Sequence, residues 1–246
     1  MTFFVALLLL PATYNALEPV TAAGGGREVP LRLCYPPILN RLIVSSIEVD
    51  PFEEDDEASS AARGHSGPIQ MIYWDFDDDD GNFTSGGNGS WLWGPPSTPP
   101  LATTVNNAWE TGGPENYPDY DCSWLDSPII HMKESASFLF FRHHLTVEPG
   151  WDGGNVQVSV DGGQTFEVIH PIRGYPFPPP VGVQCPEGLD GEVYSGFTEQ
   201  YETAVFDIGN LAGQYVIIRW LFESDGFNNF QGWIIDDVRV FGAELE

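Results

Sequence analysis

The stretch at residues 232–240 constrains the fold most, because its Ile- and Val-rich pattern predicts a β-strand close to the C-terminus. Asp236 and Asp237 lie side by side in the middle of this strand. Successive side chains of a strand point to opposite faces, so at least one of the two carboxylates should face inward. Burying a carboxylate is costly unless a positive group lies against it. We therefore expect either an arginine or a bound cation here, and the pair raises the hypothesis of a calcium-stabilised all-β domain.

The composition favours many short strands over long helices. Phe, Trp and Tyr make up 13% of the 246 residues, and 27 Gly and 21 Pro are spread among them. Short aromatic-rich strands separated by Gly, Pro, Asn and Asp turns are typical of a sandwich or barrel. No long segment has apolar residues at helical spacing. Further strands are predicted at residues 69–76, 137–147, 156–160, 203–208 and 215–222, whereas residues 108–120 read as a Gly-, Pro- and Tyr-rich loop.

The charge of the chain excludes some classes of partner. It has 36 Asp and Glu against 9 Lys and Arg, a formal net charge of −27. Such a surface repels nucleic acid, whose binding depends on neutralising phosphates with Lys and Arg, and it repels anionic membranes. It attracts divalent cations and basic partners. The alternative explanation of the charge is adaptation to salt or simple solubility.

The first 23 residues contain an apolar stretch with two interpretations. Residues 3–10 are too short to span a bilayer, so no membrane span is expected. They resemble the apolar core of a secretory signal peptide, although no Lys or Arg precedes them. The other interpretation is a retained strand that fills the sheet of a neighbouring copy. In that case the apolar side chains that join the copies are Phe3, Phe4, Val5, Leu7 and Leu9.

Residues 24–67 form an extension between this stretch and the main domain, which we place at residues 68–246. Residues 24–26 are a Gly-Gly-Gly joint, and residues 53–57 begin an acidic linker. Between them, Ile43, Ile47 and Val49 share one face at a period of two. This stretch is a second candidate for docking onto a neighbour, or an edge strand of its own domain.

An acidic loop follows the first strand of the main domain. Residues 77–80 are four consecutive Asp, closed by a Gly-Asn turn. Calcium takes six to eight hard oxygen ligands from flexible loops, so the cluster suits it, although the spacing is not that of an EF-hand. The alternative is a solvated acidic turn.

Three cysteines leave the disulfide pattern open, since an odd count allows one bridge plus a thiol, or no bridge. Cys122 and Cys185 lie in the main domain and are the favoured pair, and Cys34 lies outside it. Asn82 and Asn88 begin Asn-x-Ser/Thr sequons, which suggest N-glycosylation but also arise often by chance.

Several motifs carry a family resemblance over roughly two thirds of the chain. They are Asp75-Phe-Asp77, Gly81-Asn-Phe-Thr84, Trp91-Leu-Trp93-Gly94, Ser127-Pro128, the Asp-Gly-Gly motifs at 152–154 and 161–163, and Gly232-Trp-Ile-Ile-Asp-Asp-Val238. In order and spacing these resemble the MAM-like jelly-roll domains of bacterial secreted proteins, which include C-terminal modules of immune-inhibitor-A-type metallopeptidases.

The resemblance implies a jelly-roll β-sandwich, meaning two antiparallel sheets face to face. It also implies a calcium site built from Asp75, Asp77 and one of Asp236 and Asp237, where Asp77 replaces the Glu that is usual in the family. The fold by itself implies no activity. The chain lacks the His-Glu-x-x-His and Gly-x-Ser-x-Gly motifs, so we do not expect an enzyme.

Two functions remain from the sequence. The first is a secreted or cell-surface structural or adhesive protein that assembles into a fibre, with the N-terminal strand donated to the next subunit. The second is a secreted carbohydrate-binding module. Its candidate sugar platforms are Trp91, Trp93, Trp109 and Trp151, although paired aromatics such as the first two are more often core.

Overall fold

A computed structural model describes residues 70–88, 91–97, 107–133, 136–180, 185 and 191–246. These residues form one compact unit within Gly67–Glu246. The predicted N-terminal segments at 1–23 and 24–67 lie outside the described residues, and so do their candidate assembly residues, from Phe3 to Val49. The third cysteine, Cys34, lies outside them as well.

The described residues form thirteen strands. In chain order these are β1 (Met71–Trp74), β2 (Thr84–Gly87), β3 (Trp91–Gly94), β4 (Ala108–Thr111), β5 (Cys122–Asp126), β6 (Ile130–Met132), β7 (Phe138–Thr146), β8 (Gly153–Ser159), β9 (Glu167–Ile169), β10 (Glu202–Asp207), β11 (Tyr215–Glu223), β12 (Gly232–Phe241) and β13 (Ala243–Leu245). Within the same residues the helical content is a 3-10 turn at Gly209–Leu211, and no helix is long and apolar enough to cross a membrane.

The strands build two antiparallel sheets that face each other as a sandwich, so the predicted all-β jelly-roll class is confirmed. Sheet A has six strands in the order β10-β7-β12-β4-β3, with β1 also paired to β12. Sheet B has seven, in the order β13-β6-β11-β5-β2, with β8 and β9 on the other side of β11. The two longest central strands, β11 and β12, therefore organise one sheet each.

Large aromatic side chains fill the space between the sheets. Phe141 of sheet A lies edge-on to Trp220 of sheet B, with ring centroids 5.5 Å apart. Trp233 and Phe222 belong to the same group of fully buried side chains. Burial of this much aromatic surface is the main favourable term in the fold.

Two parts of the predicted pattern differ from the structure. The predicted loop at residues 108–120 begins with a strand, β4, and β5 is a strand that the sequence pattern did not indicate. Every residue of β4 is buried, so this strand shows no alternation of polar and apolar side chains. A short, fully buried strand lacks the period-two signal on which strand prediction depends.

A disulfide ties β5 to a distant loop. Cys122 and Cys185 are bonded across 63 residues, with their Cα atoms 5.4 Å apart. The bridge links sheet B to the Pro-rich connection that precedes β10.

Candidate metal centre

Three carboxylates meet at the end of the sandwich where β7 and β11 finish. One oxygen each from Glu148, Asp152 and Asp225 lies within 4.8 Å of the other two. Asp152 is fully buried, Asp225 is nearly so, and Glu148 is half-buried. Within the part of the chain that the structure describes, no other group of three acidic, His or Cys side chains meets in this way.

Local backbone geometry brings Glu148 and Asp152 together. Both lie in the turn between β7 and β8, where the Glu148 carbonyl accepts hydrogen bonds from the N–H groups of Trp151 (3.3 Å) and Asp152 (3.2 Å). Gly150 has a φ of 79° in this turn, a conformation that glycine adopts without strain. The turn thus places two carboxylates four residues apart at one point.

Strand register brings in the third carboxylate. Gly153 at the start of β8 pairs with Glu223 at the end of the antiparallel strand β11. Asp152, just before β8, and Asp225, just after β11, therefore lie at the same end of sheet B. The N–H of Asp225 donates to Asp152 Oδ1 at 2.7 Å, and this hydrogen bond holds the two residues together.

Tyr117 and Asn228 hold the carboxylates in place. The Tyr117 hydroxyl donates to Asp152 Oδ2 at 2.7 Å and accepts a hydrogen bond from the Glu148 N–H at 3.2 Å. Asn228 Nδ2 donates to Glu148 Oε1 at 2.8 Å. The three loops that end here are therefore tied to one another through the carboxylates, and their positions depend on the cluster.

The electrostatics of the cluster favour either a proton or a cation. Burial, together with the nearby charges of Asp225 and Glu148, raises the pKa of Asp152 to about 6, although the hydrogen bonds from Asp225 and Tyr117 act in the opposite direction. Burial and the hydrogen bond to Asp152 raise the pKa of Tyr117 well above its usual range. Residues 112–121, 147–152 and 224–231, which form the three loops, contain no Lys, Arg or His. The protein thus supplies no positive side chain from these loops.

The donor set is that of a hard cation. Carboxylate oxygens are ligands that calcium prefers, and calcium tolerates the irregular geometry of loops. No His or Cys contributes, so the softer transition metals have no preferred ligand here. Such a cation would neutralise carboxylates that the fold has already desolvated and would join the two loops that carry them.

The four predicted metal ligands have different surroundings. The carboxylate of Asp237 accepts hydrogen bonds from Arg142 (3.3 Å), Arg239 (3.1 Å) and the Tyr73 hydroxyl. It lies where the register between β12 and β7 shifts, and its φ is 52°. Arginines, which were the alternative to a cation at this strand, therefore supply the positive charge next to Asp237.

The other three predicted ligands are Asp75, Asp77 and Asp236. Their carboxylate oxygens do not come together with that of Asp237 as those of the cluster do. Asp236 is buried, and burial followed by the charge of Asp237 raises its pKa to about 7, with Asp77 adding in the same direction. Asp75 is exposed and accepts a hydrogen bond from the Asp77 N–H at 3.3 Å. In the acidic loop, Asp79 accepts from the Gly81 N–H and Asp80 from the Asn82 N–H, which closes local turns.

The candidate sugar platforms divide into two pairs. Trp91 and Trp109 are buried, at 2% and 6% exposure, and belong to the core. Trp93 and Trp151 are exposed, at 38% and 47%. Trp151 lies next to Asp152, whereas Trp93 lies on β3, with its indole N–H bonded to the Phe76 carbonyl at 3.0 Å.

The two predicted glycosylation positions are both exposed. Asn82 lies in the turn that follows the acidic loop. Asn88 donates from its side-chain amide to the Tyr120 carbonyl at 2.7 Å. The remaining two residues of the second sequon lie outside the described residues.

Sequence comparison finds partial relationships. No protein-family model matches the chain, so the MAM-like assignment stays a prediction. The chain is 28% identical over 156 residues to Bacillopeptidase F of Bacillus subtilis (strain 168). That match covers 63% of this chain and only 9% of the length of the relative.

Comparison of structures finds other β domains at low similarity. The K1 cleaved adhesin domain of Lys-gingipain from Porphyromonas gingivalis W83 matches with a TM-score of 0.35 and 13% identity, over 70% of this chain and 97% of that domain. The C-terminal CBM6 of LamC, a marine laminarinase from Zobellia galactanivorans, matches with a TM-score of 0.33 and 17% identity, over 70% of this chain and 98% of that module.

Proposed function

We propose that this chain is a non-catalytic extracellular structural or adhesive protein, that calcium stabilises its sandwich domain, and that its N-terminal segments join neighbouring copies into a fibre. The observation that carries the proposal is the buried cluster of Glu148, Asp152 and Asp225, which ties three loops at one end of the sandwich. The arrangement serves to hold loops together.

Two features support an extracellular location. Disulfides persist in oxidising compartments, and the Cys122–Cys185 bridge closes a long loop of the domain. Calcium sites of extracellular modules work at the millimolar calcium found outside cells. The partial match to a stretch of Bacillopeptidase F agrees with a module that also occurs inside larger proteins.

The carboxylates of the cluster are suited to binding rather than to hydrolysis. Asp152 accepts hydrogen bonds on both of its oxygens and is fully buried, so no substrate can reach it without opening the loops. The sequence also lacks the zinc-peptidase and serine-hydrolase motifs. A ligand-binding or structural role therefore fits this cluster better than a catalytic one.

The fibre part of the proposal depends on the two apolar N-terminal stretches and on the open edges of the sandwich. In the described part of the chain, sheet A ends in β10 on one side and in β3 on the other, so it is not closed into a barrel. An open edge can accept an added strand from another chain. Residues 3–9 and 43–49 have the apolar patterns that such a donor needs.

Electron microscopy of the secreted protein tests this function directly. We expect filaments from the full chain in calcium, and dispersed particles from a variant that lacks residues 1–26. The matched control is a variant in which Phe3, Leu7 and Leu9 are exchanged for other apolar residues. Filaments that persist after the deletion would show that this segment is not the donor.

A carbohydrate-binding module is the second candidate, and the exposure of Trp151 favours it. Its ring lies on the loop that also carries the half-buried Glu148. The exposed indole can stack on a sugar ring while the Glu148 carboxylate accepts hydrogen bonds from the sugar hydroxyls. A glycan array tests this candidate. Binding that is lost in Trp151→Ala and retained in Trp93→Ala would favour the module over the fibre.

A further inference from the structure

Exposed aromatic side chains lie on the loops that meet at the carboxylate cluster. Phe227, Tyr120 and Trp151 lie on the three loops that meet there, and Phe227 is the most exposed of them at 70%. The Tyr120 ring packs against the backbone of Gly226, where an added Cβ would lie 2.5 Å from the ring. Large apolar side chains grouped at one end of a domain are typical of a docking surface.

Two exposed carboxylates lie on the same loop as the Tyr120 ring. Glu115 and Asp119 are exposed on the same loop as Tyr120, and they do not belong to the cluster. Asp119 Oδ1 accepts a hydrogen bond from Asn229 Nδ2 at 2.6 Å, which places it beside the loop of Phe227. Because these loops contain no Lys, Arg or His, the surface stays negative even when a divalent cation occupies the cluster.

Elsewhere in the domain, a carboxylate next to an aromatic ring contacts an arginine. Arg219 is paired with Asp126 at 2.7 Å and lies 3.6 Å from the centre of the Phe166 ring. Two more of the four described arginines have the same surroundings. Arg239 lies over Tyr73 and Arg142 over Tyr201, and both are paired with Asp237.

A carboxylate beside an aromatic face is thus the setting of arginine in this fold. The planar guanidinium stacks on the ring and donates to the carboxylate at the same time. The loop surface at Tyr120, Trp151 and Phe227 offers the same two kinds of group, without an arginine of its own.

The remaining arginines of the chain identify an occupant. All four, Arg27, Arg32, Arg41 and Arg63, lie ahead of the main domain. Residues 24–42 contain three of them and one acidic residue, Glu28, so this stretch has a net charge of +2 in a chain of net charge −27. The stretch also lies between the two apolar donor segments.

We propose that the surface formed by Tyr120, Trp151 and Phe227, with Glu115 and Asp119, binds the arginine-containing segment at residues 27–41 of a second copy of this chain. The inference rests on the proposed head-to-tail assembly and names its acceptor. Attraction between a basic segment and an acidic surface fixes the direction of docking, and the stacked rings add specificity.

Photo-crosslinking of the full chain tests this contact. A benzophenone amino acid replaces Phe227, and natural-abundance protein is mixed with ¹⁵N-labelled protein in calcium before irradiation. We expect cross-linked peptides that join position 227 to residues 27–41, with both isotope compositions in one product. The control places the same group at Tyr215, an exposed side chain at the opposite end of β11, and should not give this product.

A charge exchange provides the second readout. Replacing Arg27, Arg32 and Arg41 with Glu should lower the cross-link yield by at least about tenfold, since the stacking of the guanidinium groups and their attraction to Glu115 and Asp119 are both lost. Adding Glu115→Arg and Asp119→Arg to that variant should restore it. Cross-links to any other region, products of a single isotope composition, or no restoration by the exchange would overturn the proposal.

Electron microscopy of the same samples separates the two claims. Filaments without the expected cross-link would refute this acceptor and leave the fibre intact. The cross-link without filaments would support the contact and refute the fibre.

Discussion

Asp152 gives the sharpest test of the candidate metal centre, through its response to calcium. A ligand that binds only the folded state raises the free energy of unfolding by RT ln(1 + [L]/Kd), which is about 2.7 kcal/mol at a concentration one hundred times Kd. For a domain of this size that corresponds to a rise in Tm of roughly 5–10 °C. The variant Asp152→Asn keeps the shape of the side chain but removes one of the three charges, so its rise in Tm should be much smaller.

The pH dependence of the chelated protein follows from the same residue. The folded-state pKa of Asp152, about 6, lies above its usual value of 3.8, so the folded protein holds this proton more tightly than the unfolded chain. Stability from this group is therefore present at low pH and is lost as the pH rises from about 4 to about 6. The difference of about 2.2 units at about 1.36 kcal/mol each is a loss of about 3 kcal/mol.

Asp236 acts in the same direction, since its folded-state pKa is about 7, so its contribution is lost as the pH rises to about 7. The variant Asp152→Asn removes only the first of these two effects, which separates them. Calcium competes with the proton for Asp152, so its stabilising effect should grow as the pH rises through 6.

Differential scanning calorimetry of the full chain in calcium and in EDTA, at pH 5 and pH 7.5, measures all of these quantities. The matched control is Asp119→Asn, which removes an exposed charge from the same end of the domain and leaves the cluster intact. An equal calcium response in wild type and in Asp152→Asn would refute the assignment. A wild-type Tm that EDTA does not change would remove the calcium site altogether.

Three further predictions concern stability. Reduction of the Cys122–Cys185 bridge should lower the free energy of unfolding by up to about 4 kcal/mol, from the closure of a 63-residue loop, as measured by urea denaturation with and without reductant. Trp91→Ala should cost about 3–5 kcal/mol because its ring is buried, whereas Trp151→Ala should change stability by less than about 0.5 kcal/mol; similar losses would contradict their assigned environments. Asp237→Gly should be more stable than Asp237→Ala by about 1 kcal/mol, because both lose the ion pairs but only glycine suits a φ of 52°, and equal urea midpoints would argue against this reasoning.

The sequence predicts the long strands well and the short ones poorly. β7, β10, β11 and β12 lie within a residue or two of their predicted positions, because each is long enough to show its pattern of apolar residues. β4 has only four residues, all buried, and β5 follows a turn rich in Pro and Tyr, so local sequence did not mark either one. Their strand conformation depends on pairing with β12 and β11, which is a tertiary effect.

The candidate metal centre depends even more on tertiary structure. Asp152 stands in an Asp-Gly-Gly motif that the sequence shows, but Asp225 is 73 residues away along the chain. They meet because β8 and β11 pair in register, and no local pattern encodes that pairing. One feature of the sequence does point to the cluster. The segments that carry Glu148, Asp152 and Asp225 contain no Lys or Arg that could neutralise these carboxylates.

Strand alternation explains only part of the behaviour of Asp236 and Asp237. The expected arginines are present, but they pair with the part-exposed Asp237, which lies between Arg142 and Arg239. The buried carboxylate is that of Asp236. The alternation itself fails at this point, because the register of β12 against β7 shifts after Asp236 and the backbone of Asp237 turns to a positive φ. A bulge of this kind changes the direction in which a side chain points. A prediction based on the alternation of side chains along a strand cannot detect it.

The chain balances its buried negative charge in two different ways. Within the sheets, Asp126 and Asp237 are paired with arginines that also stack on aromatic rings, which uses three of the four described arginines. At the loop end, Asp152 and Asp225 are buried together, and the three loops that meet at the cluster contain no Lys, Arg or His. To neutralise this cluster, an arginine of the chain would have to extend a long, ordered side chain from a neighbouring strand. A cation from solution requires only that the carboxylate ligands be in place. The chain has 36 acidic and 9 basic residues, and its few arginines stabilise the sheets. The loops at the cluster have no such partner, so their stability should depend on cations and on other chains that bind from solution.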